Sequence, residues 1–332
     1  MNALHHMAEK VRRGDPLPWP VGCALRACTP AVRLGMWRRL RQPRVRVQAH
    51  VVSFGNITAG GTGKTPAVIE RAQRECAAGK RVAVITRGYG GGKVREPAVV
   101  PPDASREGLA ALMGDEPALI ARRAPEVFLV KSADRVAGAR AALQRFGCEV
   151  LLLDDGFQAV RLERDENILV IDATNPFGNG HLVPRGILRE PPEAIRRATE
   201  ILLTRCDQAD ETEPLEQRMG AIQPGVPIRR TRHAPSGLWR VADGGAVPLH
   251  SLAGTGVRAV CAIGNPEAFF YTLESTGARV TERVAFPDHA PIPPGALKGP
   301  GPVVTTEKDA VRMEGAPPAV LALAIALEDL AS

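Results

Sequence analysis

A run of apolar and β-branched residues, Val47 to Phe54, leads into Gly60-Gly61-Thr62-Gly63-Lys64-Thr65, and a helical stretch to about Ala78 follows. Strand, glycine turn and helix in that order constrain the fold strongly, because such a turn works where a parallel strand hands over to a helix N-terminus. There the backbone N–H groups of Gly60 to Thr65 converge on phosphate oxygens, Lys64 neutralises charge on the outer phosphates, and the Thr65 hydroxyl can ligate Mg²⁺. Thr58 and Ala59 complete the expected cradle, Thr58 standing where this pattern usually carries a glycine six residues before the lysine. The chain is expected to bind a nucleoside triphosphate.

Alternation of strand and helix continues downstream, which is the mark of a parallel sheet wrapped by helices. Further strands read at Arg81 to Thr86, Val127 to Val130, Glu149 to Asp154, Asn167 to Ile171 and Glu200 to Thr204, with helices over Glu116 to Arg123 and Ala133 to Phe146. After Arg205 the chain turns polar and proline-bearing, and beyond it strands read at Val257 to Ile263, Arg279 to Ala285 and Pro302 to Thr305, with a helix from Pro266 to Ser275. The expected fold is α/β: a P-loop NTPase-like parallel-sheet domain over residues 47–207, a second, smaller α/β domain over 208–332, and an N-terminal helical arm over 1–46.

Charge distribution singles out that arm. No acidic residue lies between Asp15 and Glu70, whereas Arg26, Arg33, Arg38, Arg39, Arg41, Arg44, Arg46 and Lys64 do. Trp19, Leu34, Met36 and Trp37 sit among them, so Val21 to Leu40 reads as one or two short amphipathic helices broken at Pro30. Such a segment either docks on an anionic bilayer surface or packs on the enzyme's own core with a solvated basic face. No nucleic-acid module accompanies it, so no nucleic-acid partner is expected, and no obligate protein partner either. Arginines interrupt the best apolar window, which excludes a bilayer-spanning helix from the expectations. Glu9 and Asp15 with no continuous apolar stretch speak against a secretory leader, and six cysteines without a CxxC pair speak against a zinc site, which together suggest a cytoplasmic setting.

Several clusters bear chemistry. Val150-Leu151-Leu152-Leu153 ends in Asp154-Asp155, the way a buried strand delivers a carboxylate to a phosphate-bound metal; the alternative is a simple turn at Gly156. Arg87-Gly88-Tyr89-Gly90-Gly91-Gly92 follows a strand, as a ligand loop or a surface loop. Asp115-Glu116-Pro117 opens a helix, where Asp115 is expected to cap the N-terminus. His289 in Phe286-Pro287-Asp288-His289 has the pKa range for proton transfer, and Thr306 to Asp309 reads as a helix cap or a functional charge cluster.

Taken together these motifs resemble the tetraacyldisaccharide 4′-kinases (lipid A 4′-kinases). The resemblance rests on Gly55-Asn56-Ile57-Thr58, on Gly60 to Pro66, on the Arg87, Asp115, Asp154-Asp155-Gly156-Phe157-Gln158 and His289 motifs, and on Gly178-Asn179-Gly180, Leu188-Arg189-Glu190-Pro191, Ala262 to Pro266 and Thr306 to Asp309, in family order over about residues 50–312. Thr58 at the glycine position is a habit of that family, while Ala290 stands where many members carry a second histidine. The resemblance implies transfer of the γ-phosphate of ATP, with Mg²⁺, to the 4′-hydroxyl of a tetraacylated disaccharide 1-phosphate, giving lipid IVA, at the cytoplasmic face of the inner membrane. It implies catalytic roles for Lys64, Asp155 and an Asp115–His289 base, metal ligation by Thr65, Asp154 and Glu116, and substrate contacts from Arg87, Arg189 and Asn179, with Arg185 a further candidate. A dyad drawn from two domains implies closure, and so an open form in which Asp115 and His289 stand apart. A membrane-embedded acceptor favours docking for the basic arm. The alternatives are a P-loop kinase or ligase acting on a soluble metabolite, and a nucleotide-driven, membrane-recruited switch.

Overall fold

The computed structural model describes residues 10–11, 15, 18–88, 92 and 96–330; the first nine residues of the expected arm, and Tyr89-Gly90-Gly91 of the second glycine cluster, lie outside them. In chain order the first part holds α1 (Trp19–Leu40), β1 (His50–Gly55), α2 (Lys64–Ala77), β2 (Val82–Thr86), β3 (Ala98–Val100), α3 (Leu109–Met113), α4 (Asp115–Arg123), β4 (Phe128–Lys131), α5 (Arg135–Phe146), β5 (Val150–Asp154), β6 (Glu166–Asp172) and β7 (Glu200–Thr204). The second part holds α6 (Glu213–Ile222), β8 (Ile228–Arg240), β9 (Ala246–Val247), β10 (Gly256–Cys261), α7 (Pro266–Glu274), β11 (Arg279–Ala285), β12 (Val303–Thr306), α8 (Glu307–Ala310) and β13 (Val320–Asp329).

The main path of the sheet runs β11-β10-β12-β13-β8-β7-β6-β1-β5-β2-β4-β3. Its centre is parallel and covered on both faces, which is why those strands read as unbroken apolar runs. Side chains alternate between the two covers, as a strand's period of two requires. Val52, Val84 and Leu152 pack with Ala67, Val68 and Ala72 of α2. Val51, Ile85 and Leu153 pack instead with Val136, Ala139 and Ala142 of α5.

The polar stretch after Arg205, expected as a boundary, folds into α6 and then β8. Strand β8 spans the junction: Ile228 to Arg230 pair in parallel with Ile201 to Leu203, and Thr231 to Arg240 pair antiparallel with Leu321 to Asp329. The two parts therefore share one hydrogen-bonded sheet. Strands β8 and β13 escaped the sequence reading because β8 carries four arginines and is interrupted by Pro235 and Gly237, and β13 alternates leucine with alanine where helix and strand propensities compete.

Helix α1 also departs from expectation, forming one continuous helix through Pro30 instead of breaking there. None of its residues is buried, its apolar side chains are spread round the axis and not gathered on one face, and Trp19 is 81% exposed. The Arg41 guanidinium lies 4.0 Å above the Trp37 ring. Among the described residues no helix is long and apolar enough to cross a membrane.

Candidate functional site

Strand β1 ends at Gly55, where a Cβ would stand 2.5 Å from the Phe157 backbone nitrogen, so glycine alone lets β1 and the turn after Asp155 approach. The next residues leave the sheet towards a neighbouring loop. Ala59 N–H donates to Ile187 C=O at 2.6 Å, and Thr58, nearly buried, bridges Leu188. Their main chain is thus engaged, and of the expected cradle residues Gly60 to Thr65 line the cavity that follows while Thr58 and Ala59 do not.

That cavity holds about 610 Å³, within the range of small-molecule sites. Gly60 (φ 122°) and Gly63 (φ 83°) turn the loop into α2. Two residues at the end of β7 hold the loop from below. Thr204 Oγ1 donates to Thr62 C=O at 2.9 Å, and both terminal nitrogens of Arg205 donate to Gly61 C=O at 3.1 Å while Arg205 also pairs with Asp172. A trans peptide points its N–H opposite to its C=O, so fixing the carbonyls of Gly61 and Thr62 turns the amides of Thr62 and Gly63 the other way. The sequence reading missed Thr204 and Arg205; nothing in their type or spacing marks them as loop supports. It missed His233 too, a buried imidazole packed against Gly63 whose Nε2 has no hydrogen-bond partner and whose pKa burial pushes well down.

The strand-end carboxylates play different parts. Asp155 (φ 52°) faces the cavity, 3.6 Å from Lys64 Nζ and 2.8 Å from an Arg189 nitrogen. Burial would raise its pKa, but the charges of Lys64 and Arg189 hold it below the ordinary carboxylate range. Asp154 is only 1% exposed and neither of its oxygens has a hydrogen-bond partner. Burial first, and the negative Glu116 next, push its pKa up to about 7. A buried carboxylate with no donor, crowded by a second one, is the environment a divalent cation relieves; with the Thr65 hydroxyl and phosphate oxygens it fits Mg²⁺, which keeps several waters and needs few protein ligands. Among the described residues no group of three or more His, Cys, Asp and Glu could hold a metal by itself.

Across the cavity the second part supplies His289. Its Nδ1 donates to Asp115 Oδ2 at 2.8 Å, joining residues 174 positions apart. The dyad is therefore formed, in place of the separated groups expected of an open form. Other links close the same seam: Lys308 Nζ to Glu116 at 3.2 Å, and Arg123 to Glu307 at 2.8 Å. Asp115 is the first residue of α4, not its cap: Gly114 holds the N-cap position with a positive φ of 105°, and the Asp115 side chain is committed to His289 and to the Glu116 N–H. His289 lines the cavity and Asp115, 6% exposed, stands behind it. The hydrogen bond to Asp115 holds His289 above its ordinary pKa. Burial would raise Asp115, but that bond and the Lys308 charge take it below the usual range. With Nδ1 donating, the lone pair is on Nε2, which lies 3.5 Å from Lys308 Nζ and 3.7 Å from Asp288 Oδ1.

The cluster at Thr306 is a helix cap: the Thr306 hydroxyl accepts from Asp309 N–H at 3.1 Å and donates to its carboxylate at 2.7 Å. The cap also aims Lys308 at Glu116, Asp288 and His289. Two expected substrate residues lie off the cavity wall. Arg87 is exposed at the end of β2. Asn179 spends its side chain on its own loop, donating to Arg185 C=O at 3.1 Å and accepting from His181 N–H at 3.2 Å.

The family model described as tetraacyldisaccharide-1-P 4′-kinase matches residues 16–329. Relatives named tetraacyldisaccharide 4′-kinase include one from Anaeromyxobacter dehalogenans strain 2CP-C, 43% identical over 298 residues (86% of this chain, 78% of the relative). Another, from Pelobacter propionicus, is 39% identical over 301 residues (88% and 79%). The crystal structure of LpxK from Aquifex aeolicus, described as an "apo" form in complex with ATP, superposes with a TM-score of 0.73 at 29% identity, covering 93% of this chain and 95% of that one.

Proposed function

The chain belongs to the tetraacyldisaccharide-1-P 4′-kinase family of lipid A biosynthesis, and from that membership we propose how its residues divide the work of moving the γ-phosphate of ATP to the 4′-hydroxyl. The carrying observation is the His289–Asp115 contact on the wall of the same cavity as the glycine cradle. ATP occupies Gly60 to Thr65, with Lys64 on the β/γ oxygens, a reading supported by the Aquifex relative having been crystallised in complex with ATP. Thr65 and Asp154, with Glu116 beside them, hold Mg²⁺, which when bound neutralises charge on the transferring phosphate. Asp155 locks Lys64 and Arg189 in place through its two ion pairs, so both cations meet the triphosphate already oriented.

The 4′-hydroxyl then needs a base. His289 Nε2 takes its proton in place of its long contact with Lys308 Nζ, and Asp115 fixes the tautomer and stabilises the resulting imidazolium. Closure of residues 208–332 over 47–207 turns about β8, the strand both parts share, and the His289–Asp115 bond across the seam holds the closed form. The acceptor's acyl chains place the site at the anionic inner-membrane surface. Helix α1 docks there, with exposed Trp19, Leu34 and Trp37 entering the headgroup layer and its arginines on lipid phosphate.

The test is a double-mutant cycle on turnover. His289→Ala and Asp115→Ala should each lower kcat far more than they raise the ATP KM, and the double variant should be little worse than the worse single. Additive losses would show two independent residues and not one base.

A further inference from the structure

The Lys308 side chain, 21% exposed, lines the same cavity as the cradle. Helix α8 carries it, and the Thr306 cap fixes where that helix starts. Its ammonium sits among three groups drawn from both parts of the chain: Glu116 Oε1 at 3.2 Å, His289 Nε2 at 3.5 Å and Asp288 Oδ1 at 3.7 Å. With the neutral ring donating through Nδ1 to Asp115, Nε2 can only accept, and an ammonium can only donate. The base's one lone pair thus has a cation as its neighbour, and a hydroxyl proton cannot reach it until that cation moves.

The same spot adjoins the phosphate site. At Gly264 a Cβ would stand 3.2 Å from Asp288 Oδ2 and 3.3 Å from the Gly61 nitrogen, so the Asp288 carboxylate and the cradle backbone close on one point. Glu116 and Asp288 both line the cavity, and two carboxylates beside a triphosphate would repel it. Lys308 is the cation between them. Among the described residues the other lysine and arginine side chains on this wall are already held, Lys64 and Arg189 by Asp155, and Arg205 by Asp172 and the Gly61 C=O. Those three belong to the part that carries the cradle. Lys308 comes with the base from the second part, on the side where the acceptor oxygen has to meet the transferring group. A phosphoryl group in transfer spreads its charge over three equatorial oxygens, and a cation supplied by a second element is one way such charge is met. Contacts of 3.2 to 3.7 Å are looser than the about 2.7–2.9 Å of a well-formed charge-assisted bond, so the ammonium gives up little by leaving them.

We infer that Lys308 is a further catalytic residue with two engagements: at rest it holds the base idle at His289 Nε2, and with ATP bound its ammonium passes to the γ-phosphate and frees Nε2 for the 4′-hydroxyl proton. The inference rests on the proposed function, which places ATP in the cradle and the acceptor hydroxyl at Nε2. The 4′ oxygen forms its bond to the γ phosphorus as the bond from that phosphorus to the bridging oxygen breaks. ADP leaves with the electron pair, the hydroxyl proton goes to Nε2, and Lys308 keeps its own proton, neutralising charge throughout. The base is thereby released by the ligand that needs it, and ADP, having no γ-phosphate, leaves Lys308 where it is.

Binding of ADP and of the nonhydrolysable β,γ-methylene analogue of ATP, each with Mg²⁺ and without lipid, is measured by calorimetry in wild type, Lys308→Met and Lys308→Arg. Methionine keeps an unbranched stem and removes the charge. Lys308→Met should weaken the analogue by about tenfold to a hundredfold, the value of one charge-assisted hydrogen bond, and ADP by far less; Lys308→Arg should recover part of the loss. Nitrogen-15 NMR of His289, assigned by its disappearance in His289→Gln, follows Nε2. In wild type the analogue should shift that signal and ADP should not, whereas free Lys308→Met should already show a shifted signal that the analogue leaves in place. Turnover of Lys308→Met should fall about a hundredfold to a thousandfold in kcat with the lipid KM unchanged. Equal losses for ADP and the analogue would overturn the inference and leave Lys308 as a bridge to Glu116 across the seam. So would an Nε2 signal that answers both nucleotides alike. If the analogue moves Nε2 through Lys308 but no lipid is phosphorylated, the acceptor reading fails while this role stands; normal lipid phosphorylation by Lys308→Met removes the role and leaves that reading intact.

Discussion

Gly63→Ala probes the cradle at its tightest point. A Cβ there would stand 2.6 Å from His233 Nε2 and 2.9 Å from His233 Cε1, so the first contact falls 3.4 − 2.6 = 0.8 Å short of ordinary van der Waals distance. His233 is buried at 6% exposure and cannot swing into solvent, so the loop has to move. The φ of 83° adds about 1–2 kcal/mol of left-handed strain for an L residue, and overpacking adds about 1–3 kcal/mol. A shift of several tenths of an ångström takes the Gly63 and Lys64 amides off the phosphate oxygens. Losing one such charge-assisted bond, about 1.5–3 kcal/mol, weakens ATP binding about tenfold to a hundredfold. Calorimetric titration of ATP reads this directly. Gly63→Ala/His233→Ala removes the collision but not the backbone strain, so it should recover part of the affinity. Unchanged ATP affinity in Gly63→Ala, or a double variant no better than the single, would refute the collision as the cause.

The dyad makes a pH prediction. His289 is raised above its ordinary 6.5 by Asp115, and its neutral form is the base, so the acid limb of kcat/KM should lie above pH 6.5 and move down in Asp115→Asn; an unmoved limb would assign the limb to another group. By linkage, His289 contributes fully to closure below pH 6.5 and loses that contribution as pH rises through its raised value, while Asp115 contributes above 3.8 and loses it as pH falls through its lowered value. The clasp is therefore tightest on the acid side of the activity range, which hydrogen exchange along α4 and residues 286–290 should show. Arg205→Ala leaves the buried Asp172 with only its bonds from Thr174, and should cost about 3 kcal/mol in denaturant unfolding; adding Asp172→Asn should recover most of it. Deleting residues 1–40 should release the protein from anionic vesicles in sedimentation, and unchanged binding would remove α1 from the docking surface.

These predictions draw unequally on what the sequence displayed. The cradle and the Asp154 strand end were legible because each is a local rule: a glycine turn between strand and helix, and an apolar run closed by acid. The pairing of Asp115 with His289 was not legible from spacing, since 174 residues separate them; it entered through family resemblance, and the fold then set His289 on the wall with Asp115 behind it. Asp115 misled as a cap because an N-terminal Asp satisfies the local rule whether or not a distant histidine claims it. Arg205, Thr204 and His233 carried no signal, because their partners are main-chain atoms and close packing brought together by strand order. Strand β8 was hidden for the same reason: its pairing with both β7 and β13, and not its composition, makes it a strand.

In the proposed function one cavity joins the cradle to a base aimed at a lipid-sugar hydroxyl. Incubation with γ-labelled ATP, Mg²⁺ and the tetraacyldisaccharide 1-phosphate in detergent, followed by separation of the lipids, tests it most directly. Wild type should give a bis-phosphorylated lipid labelled at the 4′ position, Lys64→Ala should give none while keeping its fold, and His289→Ala should give about 10²–10⁴-fold less per unit time. Label appearing only as free phosphate, or near-normal lipid labelling by Lys64→Ala, would contradict it.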